Sequence, residues 1–230
     1  MSTYPMSRRT VLQALMTVLV LAGAAARAQE GAQQEGAQQE GKDFRTLTPP
    51  QPTSSPGKIE VIEFFSFACP HCNEFFPLLE TWLAKQPKDV VLKRVPVGFN
   101  RPPWINLQRA YYALQASGAA TRLDGALFRA IHEERRQLFD EQSLADWVGA
   151  NGGSSDKFTA AYTSFTVNNQ TVQADTMAES YRVDAVPTMA VNGEYVAQGT
   201  TFAAILDNTD KLIARVRAER ASARPAAKRP

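Results

Sequence analysis

Residues 58–67, "KIEVIEFFSF", are apolar almost without a break, and the apolar side chains are β-branched or aromatic. That is the pattern of a strand covered on both faces. From about Cys69 to Lys85 the spacing changes to that of a helix, with Phe75, Phe76, Leu79, Trp82 and Leu83 on one side and Pro77 placed to kink it. "DVVLKRVPV" at 89–97 predicts a second strand, so the three segments form a strand–helix–strand unit with parallel strands. From Trp104 to about Arg182 the pattern is mostly helical. "LQRAYYALQASG" ends at a glycine stop, "SLADWV" opens with Ser143 and Asp146 in capping-box positions, and "NGG" at 151–153 separates one helix from another starting at "SSDKF". Strand signals return at 188–197, "TMAVNGEYVA", where Asn192-Gly193 between two short runs predicts a hairpin. A last amphipathic helix spans about Thr201 to Ala218.

The fold class is therefore α/β, split by about 80 helical residues. A first α/β part occupies 44–100, a helical insertion 101–182 and a second α/β part 183–220, followed by a basic tail at 221–230. "FRTLT" at 44–48 can add an edge strand. Upstream, "EGAQQEGAQQEG" repeats every five residues with almost nothing to bury, so 29–43 reads as a disordered spacer. Residues 1–28 read as an export signal: Arg8 and Arg9 precede an apolar run from Val11 to Ala26, and "ARA" at 26–28 is an A-x-A cleavage site. "SRRTVLQ" also resembles the twin-arginine signal, so either export route serves. The predicted address is the periplasm, where disulfides persist.

With three arginines and no acid in 1–28, the remaining 22 basic and 23 acidic residues nearly cancel. No nucleic-acid footprint is present in that balance. A hydrophobic fraction of 44% suits a chain that buries a core without staples.

Cys69 and Cys72, the two cysteines of the chain, lie three apart in "FFSFACPHCNEFF". A disulfide stabilises through the loop it closes, and this loop is very short. Chemistry is the better reason for the pair. Cys69 falls where the strand ends and the helix begins, so its thiolate meets unpaired N–H groups, those of His71 and Cys72, and the positive end of the helix dipole. Its pKa should be depressed. Pro70 suits the first helical position, and His71 adds to thiolate stabilisation. Cys72 sits one turn further in, less exposed. A zinc site needs more ligands than two cysteines and two histidines at these positions offer, and a copper site would have to use Cys69, Cys72 and His132. His132 lies in "AIHEERR", which reads as a solvated charged face. C-x-x-C in a strand–helix–strand context is a redox signature, and no metal site is predicted.

"EFFSFACPHC", "AVPTMAVNG" and the helical insertion together resemble the DsbA family of bacterial thiol-disulfide oxidoreductases, over about residues 44–220. The resemblance implies a thioredoxin fold with an inserted helical domain. It implies a dithiol oxidase that donates a Cys69–Cys72 disulfide to reduced exported proteins, with no cofactor beyond that disulfide. A DsbB-like membrane reoxidant would be its partner, and the enzyme would be a monomer. It implies a cis-proline at Pro187 that presents the backbone of Val186 to substrate. It also implies that Glu63, inside the apolar strand, pairs with Lys93 beneath the second cysteine. Burial should raise the Glu63 pKa. Glu63 would either relay the Cys72 proton or serve only as half of a structural ion pair. A reductase or isomerase on the same fold is the nearest rival, and a non-catalytic metal-binding chaperone is the rival of a different kind. Phe76 and Pro77 stand where some relatives carry acids, and Asp184 and Ala185 precede the proline motif.

Overall fold

The computed structural model describes residues 38–223. The export signal at 1–28, most of the spacer and the end of the basic tail lie outside the described residues. In chain order the elements are β1 (Phe44–Thr46), β2 (Ile59–Phe65), α1 (Pro70–Leu83), β3 (Val90–Pro96), α2 (Pro102–Ala116), α3 (Ala120–His132), α4 (Glu141–Ala150), α5 (Ser155–Tyr162), α6 (Phe165–Ser180), β4 (Thr188–Val191), β5 (Tyr195–Ala197) and α7 (Phe202–Ala223). α1 runs unbroken through Pro77. α7 continues five residues beyond the helix read from periodicity, into the segment assigned to the basic tail. Residues 40–43, assigned by composition to the spacer, form a turn in which the Glu40 carboxylate accepts the Thr46 N–H at 3.1 Å.

The five strands form one sheet in the order β1-β5-β4-β2-β3. β2 and β3 are parallel, with Ile59 beside Val90 and Glu63 beside Arg94, and β4 lies antiparallel on the other side of β2. Every β2 residue is buried, Glu60 and Glu63 included, as its mostly apolar run requires of an interior strand. Alternation assigns the faces. Val61 packs with Phe75 and Leu79 of α1 and with Leu212, Ile213 and Val216 of α7. Ile62 and Phe64 face the other way, toward Ala174, Ala178 and Tyr181 at the α6 end of the helical block. The block itself closes on Leu107, Leu114, Leu127, Phe128, Trp147 and Phe158. That core continues into Phe65, Phe67, Cys69 and Cys72, so the helical block packs directly under the cysteine segment.

Local signals set the helix ends, with one correction. α5 starts at its N-cap Ser154, whose side chain accepts the Lys157 N–H. α4 starts earlier than the capping box placed it. Asp140 is the cap and accepts the Ser143 N–H at 2.9 Å, and the Ser143 hydroxyl, inside the first turn, donates back to Asp140. Asp146 instead accepts from Gln142 Nε2.

The hairpin turn has Asn192 and Gly193 at φ of 57° and 69°. Both lie in the left-handed region that a two-residue turn of this kind requires. A Cβ at Gly193 would also come within 2.0 Å of the Gln51 carbonyl oxygen. Gly193→Ala therefore forces backbone strain of about 1–2 kcal/mol and displaces the 49–57 loop besides. A loss of about 3 kcal/mol is expected in urea unfolding, against well under 1 kcal/mol for Gly118→Asn, where Asn tolerates the left-handed turn and a Cβ meets nothing.

Candidate active site

β2 delivers the chain to the site and α1 carries it away. Cys69 is the N-cap of α1, with extended backbone at φ −91°, ψ 118°, and Pro70 opens the helix at no hydrogen-bond cost. The connecting turn is held by the Cys69 N–H on the Ser66 carbonyl at 3.1 Å. It is held also from the helical block, because His132 at the end of α3 donates its Nε2–H to the Phe67 carbonyl at 2.7 Å. Its ring stacks near Phe128. The reading of His132 as a solvated side chain is therefore wrong: it is half-buried and engaged, and the nitrogen a metal would need already holds a carbonyl. Among the described residues no cluster of three or more His, Cys, Asp and Glu side chains is placed to hold a metal ion.

Both cysteines are free thiols. Cys69 retains 6% of its accessible surface and Cys72 none, as one turn of helix separates the rim from the core. The Cys69 thiol donates to the Val186 carbonyl at 3.4 Å. The Val186–Pro187 bond is cis, as the family resemblance implied. The Cys69 pKa is lowered to about 6. The Cys72 thiol is the main cause; the N–H groups of Cys72 and His71 and the His71 ring add to it, against the cost of burial. The helix terminus thus contributes as the sequence suggested, and the second sulfur contributes more. His71 is exposed, with Nδ1 at 3.4 Å from Glu74 Oε2, so its charge acts largely through solvent. Cys72 is pushed strongly the other way by burial, by the hydrogen bond its thiol gives Cys69 and by the nearby charge of Glu63.

Glu63 is fully buried on the α1 face of β2, and burial raises its pKa. Its partner is Arg94, not Lys93. The Arg94 Nε donates to Glu63 Oε2, Nη1 donates to Asp124 of α3 at 3.2 Å, and the guanidinium lies over the Phe65 ring at 4.0 Å. Lys93 is one residue out of register, and strand residues alternate faces, so it projects to the opposite side among Val95, Tyr112, Gln170 and Met177. Arg94, Asp124 and His132 are the site residues that sequence reasoning missed. Arg94 was recoverable, since pairing the strands from their first apolar residues sets it beside Glu63. Asp124 and His132 come from the helical block, where nothing local marks them.

A dithiol at a strand-to-helix turn, one sulfur acidic and the other buried, faced by a cis-proline segment within this sheet, defines a thiol:disulfide oxidoreductase of the thioredoxin fold. Residues 60–210 match the DSBA-like thioredoxin domain. The thiol:disulfide interchange protein DsbA of Bordetella parapertussis is 38% identical over 216 residues, covering 91% of this chain and 96% of that protein. The crystal structure of Pseudomonas aeruginosa DsbA superposes with a TM-score of 0.76 at 35% identity, covering 79% of this chain and 96% of that one. The DsbA oxidoreductase of Xylella fastidiosa gives 0.75 at 34% identity, over 79% and 98%. The chain belongs to the DsbA-like thioredoxin family.

Two outcomes follow for this site. Arg94→Met leaves a carboxyl buried without its cation and should cost about 3–5 kcal/mol, while Lys93→Met should stay within about 0.5 kcal/mol by urea melts. The lowered Cys69 pKa stabilises the reduced fold fully above the unfolded value of about 8.5, and that contribution is lost as pH falls through about 6. Melts of reduced against oxidised protein from pH 9 to pH 5 should show the reduced form losing about 2 kcal/mol relative to the oxidised, after allowance for solvent screening.

Proposed function

We propose that this chain is exported to the periplasm and there oxidises reduced substrate proteins with the Cys69–Cys72 disulfide, Cys69 being attacked and Cys72 leaving. The opposed environments of the two sulfurs carry this reading. A substrate thiolate attacks Cys69 Sγ; the Cys69–Cys72 bond breaks, and Cys72 departs with the electron pair and takes up a proton. A second substrate thiolate then attacks the substrate sulfur of the mixed disulfide. Cys69 leaves as a thiolate, and the substrate has lost two electrons. A leaving group of low pKa speeds this step, and Cys69 is the sulfur with the lowered pKa. The Val186 backbone beside Cys69 offers an edge along which an extended substrate pairs. Pro70 and His71 shape the turn, and Glu63 relays the Cys72 proton. No cofactor beyond the disulfide takes part. The two electrons pass to a DsbB-like membrane reoxidant, and the enzyme works as a monomer. Export is supported by the basic start, apolar run and A-x-A site of residues 1–28, with the mature chain starting at Gln29.

Trapping tests the roles. Cys72→Ser should accumulate mixed disulfides with exported proteins on non-reducing gels, and Cys69→Ser should not; equal trapping by both would reverse the assignment. Refolding of a reduced, disulfide-containing test protein separates oxidase from reductase, since the oxidised enzyme should restore its activity stoichiometrically without added oxidant.

A further inference from the structure

Glu63 and Arg94 have a third partner, Asp124, which with Arg94 reaches the surface while Glu63 stays fully buried. Arg94 bridges the two carboxylates, with Nε on Glu63 and Nη1 on Asp124. Three buried atoms of this set have no protein partner: Glu63 Oε1, Arg94 Nη2 and Asp124 Oδ1. Buried polar atoms are costly without partners, and water is the partner available here. Arg94 and Asp124 line a cleft of about 320 Å³ between α1, β3 and α3. That volume holds several water molecules. Its rim includes the exposed Glu80, Leu83, Arg122 and Arg129. It shares no residue with the Cys69, Val186 and Pro187 surface. Gly125 forms part of its wall, where a Cβ would meet the Phe76 ring at 3.0 Å.

We propose that Asp124 is a positioning residue for disulfide exchange: by sharing Arg94 with Glu63 and facing this water-accessible cleft, it keeps Glu63 able to hold a proton for Cys72. The inference rests on the relay role of Glu63. One guanidinium cannot fully neutralise two carboxylates, so the anionic charge of Asp124 weakens the hold of Arg94 on ionised Glu63 and repels it directly. When the Cys69–Cys72 bond breaks, the Cys72 sulfur takes its proton from the Glu63 carboxyl. Glu63, which does not itself line the cleft, regains one through water that bridges its unpartnered Oε1 to the cleft lined by Arg94 and Asp124. On reoxidation the same proton leaves by the same way. Burial, together with the charges of Glu63 and Glu80, raises the Asp124 pKa to about 6 against the pull of Arg94. The titratable and charged groups that bear on the pair are Arg94 from β3, Glu80 and Cys72 from α1, Tyr111 from α2, and Arg122 and Arg129 from α3 itself.

The test is the pH profile of stopped-flow disulfide transfer to a reduced peptide, with each variant taken as a ratio to wild type so that peptide ionisation cancels. Removing the Asp124 charge lets Glu63 ionise at lower pH. Asp124→Asn should therefore match wild type on the acid side and lose about tenfold on the alkaline side, a displacement of about one pH unit. Asp124→Glu should restore the profile. The rim variant Arg129→Gln, which removes a cation, should displace it in the opposite direction. Glu63→Gln run in parallel should abolish the pH-dependent limb. If it does so while Asp124→Asn leaves the profile in place or lowers the rate equally at every pH, Asp124 is only a strut and the inference fails while the relay stands. If Glu63→Gln keeps the limb, both fail. Should Asp124→Asn not fold, an unmoved profile in Arg129→Gln overturns the proposal and an upward shift supports it.

Discussion

One buried guanidinium organises this molecule. Arg94 enters from β3, lies against the Phe65 ring and reaches the carboxylates of β2 and α3 together. Removing it would leave acids stranded in the core, a cost that exceeds most single contacts in a domain of this size. That tie joins α3 to the sheet alongside its apolar packing, and α3 ends at His132, which holds the Phe67 carbonyl. The turn that presents Cys69 is thus held from the sheet below and from the helical block beside it.

Around that tie the two sulfurs are separated by a single turn of helix and by a large difference in environment. Cys69 accepts the Cys72 thiol and the nearby N–H groups, and a thiolate is stabilised there. Cys72 has no contact with solvent and faces the field of Glu63, so the neutral thiol is favoured. Exchange between thiol and disulfide runs toward the better leaving group, and this asymmetry gives it a direction. The lowering of Cys69 to about 6 sets a moderate driving force at neutral pH. Closing so short a loop also stabilises the oxidised form, by about 2 kcal/mol on the chain-entropy account, so the two terms are of similar size.

Much of this was legible in the chain. The mostly apolar run of β2, the strand–helix–strand order and the Asn192-Gly193 turn are local patterns, and local sterics decide them. The C-x-x-C pair at a helix start is legible for the same reason, since the chemistry of a helix terminus depends on the first turn alone. The errors also have physical causes. The α4 start shifted because a second capping residue, Asp140, lies one turn upstream of Ser143 and takes the Ser143 N–H. The family resemblance implied Lys93 as the partner of Glu63, and only the strand register shows that Arg94 shares its face.

The sequence by itself determined the elements, the thiol pair and its acidic member, because these follow from residues within a few positions of one another. The tertiary structure decided which cation meets Glu63, that Asp124 joins them, and that His132 secures the turn before Cys69. Those contacts join residues 30 to 65 positions apart. They exist only once the helical block has packed against the sheet, and burial there makes each pairing energetically decisive.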